Sequence, residues 1–149
     1  MSNDILTAKN ILLENDYTCV LYFNKTEFHS VERGVKPLLD FLKSDFDFTD
    51  FCAADKVIGA GAAHLYVLLK VKSVWAKLIS TKAREILKSN NITLYFEEEV
   101  SHIINRRGDD ICPIEKAVNG ITNSEEALTV IKKTLETLNT SVKKEEKYE

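Results

Sequence analysis

A helix formed by residues 57–70, VIGAGAAHLYVLLK, has no polar side to give to water. A helix that is apolar all round must be buried. The small residues Gly59 to Ala63 crowd its first half and let neighbouring backbones come close. The chain must therefore supply a sheet on one side of this helix and a second cover on the other. A second subunit is the expected cover, so a homodimer is expected.

The rest of the sequence supplies that sheet. Residues 3–14 place Ile5, Ala8, Ile11 and Leu12 on one helical face. Residues 17–23 are β-branched and aromatic and read as a strand. Asn24-Lys25 is a polar turn, and residues 27–31 return as a more polar edge strand. Gly34 and Pro37 open a short helix through Leu42. Residues 44–55 read as an irregular loop, in which Phe46, Phe48 and Phe51 alternate with aspartates and anchor it to the core.

Residues 73–79 form a strand, Ser80-Thr81 caps a helix over 82–88, and residues 92–96 form another strand. Strand, helix, strand at this spacing is a βαβ unit with parallel strands. Glu97-Glu98-Glu99 reads as a solvated turn before a short helix over 100–104. Residues 105–110 read as a loop. Cys112-Pro113 starts a short helix ending near Asn119-Gly120. Thr122, Asn123 and Ser124 offer caps for the last helix, Thr122-x-x-Glu125 fits a capping box, and Ala127, Leu128, Ile131, Leu135 and Leu138 fall on its buried face. The expected fold is a three-layer α/β/α domain over residues 1–140. Its mixed sheet joins an N-terminal antiparallel hairpin to parallel strands, and residues 141–149 form a charged, frayed tail.

Composition narrows the function classes. The 149 residues carry 20 basic and 23 acidic side chains, a net charge of −3. That balance offers no extended nucleic-acid surface. The longest apolar run, residues 57–69, is shorter than the ~20 residues a bilayer span needs, so no membrane partner is expected. The N-terminus lacks the pattern of a signal peptide. A cytoplasmic chain with Cys19, Cys52 and Cys112 reduced is the reading.

No metal spacing is present. His29, His64 and His102 share no helical turn, and no C-x-x-C or H-E-x-x-H occurs. No phosphate loop or dinucleotide fingerprint occurs either, and no cofactor is implied. His64, on the apolar helix, reads as a satisfied core or interface histidine.

Two stretches can carry chemistry. Asp55-Lys56 stands where the buried helix is expected to begin. Asp55 reads as a cap, while the helix N-terminus with Lys56 suits an anion. Asn105-Arg106 precedes Cys112-Pro113-x-Glu115. There the helix start and the arginines favour a thiolate at Cys112, and Glu115 stands close enough to carry a proton or to bond back to the cap.

Asp55-Lys56-Val57-Ile58-Gly59, Val71-Lys72-Ser73-Val74, and Ile104-Asn105-Arg106 with Gly108 and Cys112-Pro113-x-Glu115 resemble an uncharacterised prokaryotic domain-of-unknown-function family. The resemblance covers residues 4–120 and implies a cytidine-deaminase-like fold, without an activity to carry over. Zinc deaminases place H-x-E or C-x-E at one helix start and P-C-x-x-C at the next. Here the expected starts are Ala54-Asp55-Lys56-Val57 and Ser80-Thr81-Lys82-Ala83-Arg84-Glu85, without ligands or catalytic glutamate. Zinc-dependent deamination is not expected.

The pocket that such a fold implies lies at the carboxyl ends of the strands. Asp55, Lys56, Asn105, Arg106, Cys112 and Glu115 are expected to converge there on a small anionic or nucleotide-like ligand. Two alternatives stand beside this. One is a metal-independent enzyme with Cys112 as nucleophile and Glu115 as acid/base partner. The other is a dimeric interaction protein on a degenerate enzyme fold.

Overall fold

The computed structural model describes residues 1–148, with side chains through residue 139. The elements run α1 (Asn3–Glu14), β1 (Cys19–Phe23), β2 (Thr26–Ser30), α2 (Lys36–Lys43), β3 (Cys52–Ile58) and α3 (Ala60–Leu69). They continue through β4 (Ser73–Ser80), α4 (Thr81–Ser89), β5 (Thr93–Val100), α5 (Pro113–Ala117) and α6 (Ser124–Tyr148). The charged tail expected from residue 141 lies outside the residues whose side chains are described.

Five strands form one mixed sheet in the order β2-β1-β3-β4-β5. The β1–β2 hairpin turns on Asn24 and Lys25, both with positive φ (45° and 69°). This is the geometry that matches strand twist in a two-residue turn. β1 lies antiparallel to β3, with Cys19 opposite Asp55. β3, β4 and β5 are parallel. β2 lies at one edge, as its polar alternation predicts.

Strand alternation splits the core in two. Val20, Cys52, Ala54 and Trp75 face α1 and pack on Ile5, Ala8 and Leu12. Leu21, Ala53, Val74 and Ala76 face the other way and belong to the larger cluster built on α3. Two of the loop phenylalanines, Phe48 and Phe51, are buried in that cluster. Phe28 meets both of them edge-on or tilted, with centroids 5.2 and 6.1 Å apart.

Four expectations are corrected. Residues 52–58, read as loop and helix start, form the central strand β3. Glu97 to Glu99 are not a turn: β5 runs on through Val100, because β4 offers partners as far as Ser80. No helix occupies 100–104; an isolated bridge joins Ile104 to Ile111 instead. Of the three candidate caps of α6, Asn123 takes the role in place of the Thr122-x-x-Glu125 box: its Oδ1 accepts from the Glu126 amide at 2.9 Å.

The cover of α3 also comes from within the chain. α3 packs against α2 and α4 beside it and against α5 and α6. His64 of α3 is buried and bridges to the start of α6. Its Nε2–H donates to the Ile121 carbonyl (3.2 Å), and its Nδ1 accepts from the Ser124 hydroxyl (2.9 Å). The apolar helix therefore does not need a second subunit.

Candidate functional site

The carboxyl ends of β3, β4 and β5 lie at one edge of the sheet, beside the start of β1 and the end of β2. The two ends of segment 103–115, Ile103 and Glu115, reach this edge. A methyl group added at Gly59, the N-cap of α3, would lie 3.2 Å from Ile103 Cγ1 and 3.7 Å from Glu115 Cδ and Oε1. Glu115 is thus set against the α3 N-terminus. Its Oε2 accepts from the Ile103 amide at 2.5 Å, while its buried Oε1 has no partner among the described residues. The positive end of the α3 dipole favours a carboxylate in that position. The chain's own Glu115 therefore sits where an anion was expected, and it bonds to Ile103 rather than back to its own cap.

Asp55 is not a helix cap. It is buried in β3, since α3 starts five residues later. Its Oδ2 accepts from the Tyr66 hydroxyl (2.6 Å), and its Oδ1 accepts from the Val57 amide (3.1 Å). With its hydroxyl hydrogen given to Asp55, Tyr66 can accept from the Cys19 thiol at 3.3 Å. Burial pushes the Asp55 carboxyl up to about 7, against the hydrogen bonds that stabilise its anion. Burial pushes the Cys19 thiol up as well. Lys56 leaves this cluster entirely and pairs with the exposed carboxylate of Asp16 at 2.7 Å.

Asn105 serves its own loop. Its Nδ2 donates to Asp109 Oδ1 (2.9 Å), and its Oδ1 accepts from the Asp109 amide (3.2 Å). Cys112 is half-buried against the core. Its amide donates to the Ile103 carbonyl (2.8 Å), which closes the base of the 103–112 loop. Asp55, Lys56, Asn105 and Glu115 are each committed to separate contacts. The six expected residues do not form one constellation.

Arg106 lines a groove away from these contacts. An open groove of about 550 Å³ runs between residues 31–39, Arg106 and α6. Such a volume lies within the range of small-molecule sites. Arg33 and Lys36 contribute two more cations, and Glu32 a carboxylate. Gly34, at φ +68°, allows the turn between these cations and has no heavy atom near its missing side chain. Lys36 is paired with Asp40 at 3.1 Å. Arg33 and Arg106 have no ion pair among the described residues. Leu39 and Leu135 add apolar surface, and Asn139 an amide.

Sequence reading missed Arg33 and Lys36. Their signal was a short basic cluster around Gly34, indistinguishable from a solvated turn until the fold brings Arg106 beside it. Among the described residues no cluster of three or more His, Cys, Asp or Glu could hold a metal ion. No helix among them is long and apolar enough to cross a membrane.

The fold and groove define a mixed α/β protein that brings the two ends of its own loop to its sheet edge and carries Arg33 and Arg106 to one side. The chain belongs to the DUF1893 family, a domain of unknown function typified by TM1506, whose model matches residues 7–135. The crystal structure of a DUF1893 family protein, TM1506 from Thermotoga maritima, is similar at 25% identity. Its TM-score is 0.80, over 92% of each chain. No curated protein matches the chain.

Proposed function

We propose that this protein binds a small anionic ligand in the groove between Arg33 and Arg106. One observation carries the reading: two guanidinium groups, from segments far apart in the chain, line one groove without a carboxylate partner among the described residues. Like charges repel when gathered, and an anion between them relieves this. Guanidinium donors match phosphate and carboxylate oxygens in pairs. Glu115 at the α3 N-terminus disfavours an anion at the sheet edge itself, which supports the groove as the place.

The antiparallel hairpin beside parallel βαβ units supports a cytidine-deaminase-like reading of the fold. The helix starts Gly59-Ala60-Gly61 and Ser80-Thr81-Lys82 hold no His, Cys or Glu. We therefore read the fold as separate from zinc deaminase chemistry.

Isothermal titration with inorganic phosphate at low ionic strength tests the anion site. Arg33→Ala and Arg106→Ala are each expected to weaken binding about tenfold, the size of one charge-assisted hydrogen bond. Both side chains are exposed, so folding is expected to survive. Failure of phosphate, pyrophosphate and small carboxylates alike to bind overturns the reading.

A further inference from the structure

The lining of the groove is uneven, and that points to the kind of anion. We infer that the groove takes a phosphomonoester that also carries a flat heterocycle with apolar faces, the chemistry of a nucleoside monophosphate; this deepens, and rests on, the anion-binding reading above. Arg33 and Arg106, with Lys36, supply the cationic part of the lining, which outnumbers the carboxylate of Glu32. Leu39 of α2 and Leu135 of α6 supply apolar surface, and each is only partly buried against the core. A bare inorganic anion would use the guanidinium groups and leave both leucines in water. A ring laid on them gains about 25 cal/mol for each Å² removed from solvent.

The charge and polarity of the lining choose between ring-bearing and chain-bearing anions. A single carboxylate on an alkyl chain brings one negative charge to two guanidinium groups. A phosphomonoester brings up to two charges and three acceptor oxygens, enough for both. Asn139, at the α6 side, offers a donor and an acceptor on one amide. The edge of a heterocycle can satisfy both, whereas an alkyl chain can satisfy neither.

Titration of the full chain with four probes at one ionic strength tests this: inorganic phosphate, adenosine 5′-monophosphate, adenosine and hexanoate. The nucleotide is expected to bind at least about tenfold more tightly than phosphate, and adenosine and hexanoate more weakly than the nucleotide. Arg106→Ala is expected to weaken phosphate and nucleotide together. Asn139→Ala, an exposed substitution, is expected to weaken the nucleotide several-fold more than it weakens phosphate. Equal affinities for phosphate and nucleotide would overturn this inference and leave the anion site standing. Tighter binding of hexanoate than of the nucleotide would overturn it in favour of an acyl carboxylate. Absence of binding by all four probes would overturn both readings.

Discussion

Asp55 shows how a single residue changes meaning when its element changes. Read beside an expected helix start, it is a cap. In β3 it is a buried carboxyl held by Tyr66 and the Val57 amide. Burial raises its folded value to about 7 from 3.8. The native state therefore binds a proton that the unfolded chain has lost, and stability falls as pH rises through that window. His64 contributes the opposite slope. Desolvation lowers its value below 6.5, so its share of stability is lost as pH falls. Asp55→Asn is expected to flatten the loss between about pH 5 and about pH 8. Denaturant titration should show the native protein losing more stability than the variant, on the order of 2 to 3 kcal/mol. Parallel pH profiles for the two proteins would rule this out.

At the scale of elements, the close approach of α5 to α3 depends on one glycine. A methyl group at Gly61 would stand 2.4 Å from Ile114 Cγ2, too close for either to remain. Gly61→Ala is expected to cost about 1 to 3 kcal/mol by overpacking. In an Ile114→Ala background the same change should cost much less, and a double-mutant cycle by chemical denaturation measures the difference. Strict additivity would show that the two side chains do not meet. The small residues of 59–63 announced such an approach, but not its partner. β3 was hidden for a different reason. Its Asp55-Lys56 pair runs against strand preference. Pairing on both sides with β1 and β4 overrides that preference.

At the scale of the whole molecule, the sheet ends on β5, an edge strand of eight residues. An exposed edge invites pairing with another chain, and charge on the edge discourages it. Glu97 and Glu98 are exposed on β5, while Glu99 is tied to Arg84 (3.0 Å) and Thr81 (2.8 Å). Replacing Glu97 and Glu98 together by Thr is expected to promote self-association, seen as faster sedimentation at rising concentration. An unchanged sedimentation profile would show that the glutamates do not guard the edge. Local chemistry sufficed for the hairpin, the βαβ unit from β4 to β5, and the burial of α3, because turn residues, caps and apolar periodicity act between near neighbours. It did not reveal what covers α3, which carboxylate stands at its N-terminus, or which arginines share a groove. Those depend on contacts between residues far apart in the chain: Gly59 with Glu115, His64 with Ser124, Arg33 with Arg106. Only the tertiary structure decides them, because packing sets the distance and burial that turn a side chain into a cap, a core group or a ligand contact.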